Sequence, residues 1–388
     1  MATIQNVDKF MTQAVESGAM PGIVVAAATE KGTLFEGAYG KREIGKSQPM
    51  TIDTVVWIAS MTKAITATAA MQLVETGKLA LERPAADVVP ELAKVQVLDG
   101  FDGAGKPRLR APKRPVTLKH LLTHTAGYAY EMWNPSVAKY QTATGTPSIT
   151  TCTNASLTLP LMSDPGEKWE YGINIDWAGK MVEAVSGQKL DRYLQEHVFS
   201  PLGMKDTSFK LSPSQRARLA SVHSRGADGK LTVFPFELPQ EPEFHMGGGG
   251  LYGTAGDYLT FAQMIIQGGT FKGNQVLRRE TVHQMAQNHI GPLEVTKMVS
   301  AIPAFTNDVD LFPGMSKKWG LSFLINTEKA ATGRSAGSLF WAGLANTYFW
   351  IDPTRKVCGV FLSQLIPFND ATAVDLLGKF ETEVYRAL

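Results

Sequence analysis

A serine hydroxyl and a lysine ammonium three positions apart become neighbours on a helix, and such a pair can make a nucleophile. The sequence holds S-x-x-K three times, at Ser60–Lys63, Ser136–Lys139 and Ser186–Lys189. Ser136 follows Pro135 in a stretch that reads as irregular, and Ser186 precedes Gly187, where a helix should end. Ser60 differs. It follows the apolar segment Thr54–Ala59 and opens the Ala-rich helical run Ala64–Glu75. Lys63 can then reach the Ser60 hydroxyl, and the positive end of the helix dipole favours a developing alkoxide. On local pattern alone, Ser60 also fits an ordinary N-cap.

A rival nucleophile is Ser335, in the G-x-S-x-G string Gly333-Arg334-Ser335-Ala336-Gly337. That motif needs a strand-to-helix turn and a later histidine. Here a strand follows, and the last histidine is His289, so the string reads as a Gly-rich turn. Gly248–Gly253 formally fits G-x-G-x-x-G, but no buried strand of a βαβ unit precedes it. Backbone packing is the expected role there, with Thr254 and Asp257 in capping positions ahead of a helix. Two cysteines and seven histidines give no metal-ligand spacing, so neither a metal nor a cofactor is expected. Cys152 and Cys358 read as reduced thiols.

These residues must be positioned by a chain of 388 residues, long enough for two or three domains. Apolar residues make up 44% and charged residues 19%, with a formal charge of +2, which excludes a disordered chain and gives no reason to expect nucleic-acid binding. The basic residues of Asp99–Arg114 read as a solvated loop. No run of 18 apolar residues is present, so no membrane span is expected. The N-terminus lacks the unbroken apolar stretch of a secretory signal, which makes a cytoplasmic chain the expectation. Ile4, Val7, Phe10, Met11, Ala14 and Val15 predict a helix that Gly18 stops. Strands are predicted at Gly22–Ala28 and Leu34–Tyr39, then at Trp319–Ile325, Ser338–Leu344, Thr347–Asp352 and Val357–Leu365. A last helix carries Val374, Leu377, Phe380 and Val384 on one face. One sheet can recruit both ends of the chain. The expectation is an α/β (α+β) domain of residues 1–80 and 225–388, interrupted by a mainly helical domain of residues 81–224.

The stretch WIASMTKAITATAAMQLVETGKLALERPAADVVPEL resembles the serine β-lactamase and penicillin-binding protein superfamily, as do HLLTHTAG (His120–Gly127) and SPLGMKDTSF (Ser200–Phe209). The resemblance runs from about Val7 to Leu365 and is strongest to family VIII carboxylesterases, with class C β-lactamases and fungal statin acyltransferases as relatives. It implies a β-lactamase-like fold, an antiparallel sheet flanked by N- and C-terminal helices with an inserted helical domain. It also implies that Ser60 is the nucleophile, Lys63 its activating partner and Tyr171, in PGEKWEYGINIDWAG, the proton shuttle. Read bare, a tyrosine between Trp169 and Trp177 is core or pocket wall. A nearby Lys63 ammonium would lower the phenol from its usual value of about 10. In the resembled family the motif around His124 is structural, so His124 is left out of the chemistry.

The departures choose between relatives. Where class C enzymes have Tyr-x-Asn, this chain has Ile173 in the third place and Asn174 one later. Where they have Lys-Thr-Gly, it has Trp341-Ala342-Gly343. Losing that cation removes a contact worth ~1.5–3 kcal/mol to an antibiotic carboxylate. Trp-x-Gly is the family VIII form and suits a neutral ester. By analogy the oxyanion is held by the backbone N–H groups of Ser60 and Leu344. Trp341 and Gly343, with Tyr128, Tyr130 and Trp133, are expected at the acyl pocket, favouring short- to medium-chain esters. The expected activity is that of a carboxylesterase on a small-molecule ester. An acyltransferase using the same acyl-enzyme, a weak β-lactamase or D-amino peptidase, and a non-catalytic sensor are the alternatives. No nucleic-acid or membrane partner is expected, and a homodimer is compatible with the sequence.

Overall fold

Phe349 and Trp350 are consecutive strand residues, so their side chains leave opposite faces of the sheet. Phe349 meets Tyr258 at 5.0 Å between ring centroids, whereas Trp350 meets Phe380 at 5.6 Å. Each aromatic partner belongs to a different helix, and the sheet between them is covered on both sides. The computed structural model describes Ile4 and residues 6–388; residues 1–3 and 5 of the N-terminal segment lie outside the described residues.

The sheet has seven strands: β1 (Gly22–Thr29), β2 (Gly32–Gly40), β3 (Lys317–Trp319), β4 (Leu324–Asn326), β5 (Leu339–Gly343), β6 (Thr347–Asp352) and β7 (Val357–Leu362). Their order is β3-β4-β5-β6-β7-β1-β2, and every pair is antiparallel. The β7–β1 pairing, with Val24 opposite Leu362, joins the two ends of the chain. Helices α1 (Val7–Glu16) and α5 (Ala371–Arg386) pack together on the Trp350 face, and α4 (Ala255–Ile266) packs on the Phe349 face against β1, β6 and β7. Between the sheet strands run α2 (Thr62–Glu75) and α3 (Asn174–Ser186), which pack against each other. This is the β-lactamase-like arrangement of helices around an antiparallel sheet.

Three expected elements differ. The run Trp319–Ile325 is two strands, because Ser322 takes φ +75° and the chain reverses between Trp319 and its partner Leu324. A Cβ at Gly320 would lie 2.2 Å from the Met285 carbonyl oxygen, so the turn accepts only glycine there. The last predicted strand ends at Leu362, and Leu365–Ile366 pairs instead with His223–Arg225. In addition, Pro135–Thr144 is a helix rather than an irregular stretch, because Pro135 sits in its first turn and the Asn134 side chain accepts from Ser136 N–H.

The G-x-S-x-G string ties α5 to the sheet. Arg334 is buried, and its Nε donates to Glu381 Oε1 of α5 at 2.8 Å while its guanidinium lies 4.5 Å from the Phe340 ring centroid. The Ser335 N–H donates to Asp352 Oδ2 at 2.9 Å, at the end of β6.

Candidate active site

Ser60 lies in a tight turn, Ala59–Met61, that leads into α2. Ala59 takes φ +46°, an unfavourable conformation for a residue with a Cβ, costing of order 1–3 kcal/mol. The neighbours hold the turn there. Ile58 N–H donates to Leu251 O at 3.0 Å, Tyr258 Oη to Met61 O at 3.0 Å, and Thr347 Oγ1 to Ile58 O at 3.2 Å. Ser60 is not an N-cap: no side chain caps either this turn or α2. Its Oγ instead accepts from Lys63 Nζ at 3.1 Å.

Lys63 is completely buried. Besides Ser60, its Nζ donates to Tyr130 Oη at 3.0 Å and to the Gly248 carbonyl at 2.6 Å. It also lies 4.7 Å from the Tyr171 ring centroid. Burial draws the Lys63 amine well below its ordinary value, and only the negative charge of Asp176 pulls it back. Burial pushes Asp176 up, against the opposing pull of Lys63 and the Gly248 N–H.

Tyr171 closes the other side. Its Oη accepts from Trp341 Nε1 at 2.9 Å, with the rings 4.9 Å apart and steeply inclined. The sequence-based expectation of a phenol acidified by Lys63 is corrected here. Burial dominates and raises Tyr171, while hydrogen bonds to Ser60 and Trp341 only partly oppose it. Tyr171 is therefore a neutral phenol at ordinary pH. Trp341 does more than replace a cation with an apolar wall, because it aims that phenol.

Ser60, Tyr130, Trp133, Tyr171, Trp341, Gly343 and Leu344 line one apolar cavity, together with Met132, Met298 and Phe368. Its volume is about 40 Å³, room for only a few waters. A Cβ at Gly343 would lie 2.3 Å from Ile58 O, so glycine lets the end of β5 close on the Ala59–Met61 turn. Of the expected pocket residues, Tyr128 is misplaced. Its ring lines a different cavity, because it stacks on Trp177 of α3 at 6.4 Å and so lies on the α3 side.

The remaining motif residues have structural partners. His124 is buried, and its Nδ1 lies 2.9 Å from Asn174 Nδ2, which also donates to Tyr128 O at 3.2 Å. Asn174 thus braces the Tyr171 segment and faces away from Ser60's cavity lining. Thr254 caps α4 by accepting from Asp257 N–H, while the Asp257 carboxylate accepts from Asp206 N–H and Thr207 Oγ1. Lys139 stacks on Phe101 and Ser186 Oγ donates to Val182 O, so neither other S-x-x-K pair is assembled. Cys152 and Cys358 are both free and buried. Sequence reasoning missed the Tyr130 contact with Lys63 and missed Asp176 altogether. The second could have been suspected from an acid in the first turn of an otherwise apolar helix face.

A family model described as Beta-lactamase matches residues 7–381. The chain belongs to the beta-lactamase family. Within it, the chain is 33% identical over 392 residues to monacolin J acid methylbutanoyltransferase of Aspergillus terreus, covering 96% of this chain and 93% of that protein. It is 32% identical to lovastatin esterase of Penicillium rubens, with 98% of each covered. Among solved structures, simvastatin synthase (LovD) from Aspergillus terreus superposes with a TM-score of 0.85 at 31% identity, covering 98% of this chain and 97% of that one. One family fold thus serves both acyl transfer and ester cleavage in these relatives.

Proposed function

We propose that this chain is a serine carboxylesterase of the family VIII kind, acting on short- to medium-chain esters through an acyl-enzyme at Ser60. The observation that carries the reading is a fully buried amine 3.1 Å from the Ser60 hydroxyl, at the wall of an apolar cavity. A neutral amine has two hydrogens and one lone pair. Once Lys63 has lost the hydrogen it directs at Ser60, the other two stay on Tyr130 and Gly248, and the lone pair faces Ser60 and can take its proton. Burial of Lys63 favours that neutral form. Ser60 Oγ then attacks the ester carbonyl, and the N–H groups of Ser60 and Leu344 hold the oxyanion. Tyr171, a neutral phenol, gives its proton to the departing alkoxide and is reprotonated by the Lys63 ammonium. Water, activated by the same groups, releases the acid.

A second reading, transfer of the acyl group to an alcohol, is favoured by the likeness to monacolin J acid methylbutanoyltransferase. Both readings share the acyl-enzyme. Hydrolysis of p-nitrophenyl butyrate is expected for the wild type and is expected to vanish in Ser60→Ala; undiminished turnover in that variant would contradict both. Product analysis with an added alcohol separates hydrolysis from transfer.

A further inference from the structure

We propose that Asp176 is a positioning residue for Lys63, its carboxylate standing behind Gly248 to hold the ammonium that forms when Lys63 takes the Ser60 proton. The proposal rests on the acyl-enzyme reading above and adds to it the group that balances the buried charge. Gly248 links the two side chains through its backbone. Its N–H donates to Asp176 Oδ1 at 2.8 Å, and its carbonyl accepts from Lys63 Nζ at 2.6 Å. A Cβ at Gly248 would lie 2.5 Å from Asp176 Oδ2, so only glycine lets the carboxylate come this close. The other oxygen, Oδ2, is buried with no hydrogen-bond partner among the described residues.

A buried carboxylate with half its accepting capacity unused is costly unless a charge nearby stabilises it. The other titratable groups around the pair are Tyr130 and Tyr171, which burial keeps neutral, the buried thiol of Cys152, and His124, which burial and Lys63 hold neutral. Lys63 is the one group in this set that becomes a cation, when it takes the Ser60 proton. The proton moved from Ser60 to Lys63 therefore arrives at an amine already faced by a carboxylate, and no bond to Asp176 is made or broken. In the Ser-His-Asp arrangement an aspartate does the same for imidazolium. Here a glycine backbone stands between the partners.

The test compares wild type, Asp176→Asn and Asp176→Glu with p-nitrophenyl butyrate across pH. Asparagine keeps an oxygen for the Gly248 N–H and removes only the charge. The expected result is a kcat lower by roughly 100-fold with KM little changed, and partial recovery in Asp176→Glu. Removing the anion also lowers the Lys63 amine, so the acid limb of the profile should move down by about one pH unit or more. Normal kcat, or a loss with the acid limb unmoved, would overturn the role of Asp176. An inert wild type, or an active Ser60→Ala, would instead overturn the acyl-enzyme reading. A second readout needs no substrate and no Asp176 variant. Infrared spectra taken just below the acid limb, where Lys63 is an ammonium, should show a protonated buried carboxyl in Lys63→Met that is weaker or absent in wild type, and identical carboxyl bands in the two would overturn the pairing.

Discussion

Lys63 makes three polar contacts from a fully buried position, and this sets the chemistry of the site. Because the proposed mechanism needs a neutral amine to accept the Ser60 proton, activity is expected to rise with pH as Lys63 deprotonates. Burial places that limb well below the ordinary lysine value of about 10.4. A kcat/KM profile with its acid limb near the ordinary value would contradict the assignment. Trp341 supplies a separate test. Trp341→Phe keeps the aromatic wall but removes the 2.9 Å donor to Tyr171 Oη, worth about 1.4 kcal/mol or about tenfold in kcat. An unchanged kcat would show that Tyr171 is held by packing alone. The serine and lysine were legible because S-x-x-K has a fixed helical spacing. The Tyr130 contact with Lys63 and the place of Asp176 behind Gly248 were not, since both are made across the fold and no spacing along the chain announces them.

At the scale of elements, β6 and β7 are buried along their whole length, and their pairing leaves no slack. Gly359 of β7 faces Trp350 of β6, and a Cβ there would lie 2.1 Å from the indole ring. Gly359→Ala is expected to destabilise the protein by ~1–3 kcal/mol, measured by chemical denaturation, because a packed core resists an added methyl group. An unaltered midpoint would contradict this packing. The sheet strands themselves were legible from their apolar runs, apart from the reversal hidden in Trp319–Ile325 and the early end of β7 at Leu362. That reversal is set by Ser322 and by a close approach to Met285, neither of which shows as periodicity. The helix at Pro135–Thr144 was missed for a related reason: a proline in the first turn was read as a break when it was a start.

Across the whole molecule, the two ends of the chain share one sheet, and residues from the middle of the chain meet them at the cavity beside Ser60. Ser60 and Lys63 come from the turn and helix after β2, Tyr130, Tyr171 and Asp176 from the middle of the chain, and Trp341 from β5. The site therefore exists only when the whole chain is folded, which is why its core motifs were legible and its detailed contacts were not. Arg334 and Glu381 lock α5 to the same sheet, and this makes the G-x-S-x-G string a brace for the fold. Intact mass spectrometry after exposure to a fluorophosphonate, followed by peptide mapping, tests the central claim most directly. One adduct per chain is expected on the peptide that carries Ser60, with none in Ser60→Ala and full labelling in Ser335→Ala. No adduct on the wild type, or an adduct on Ser335, would contradict it.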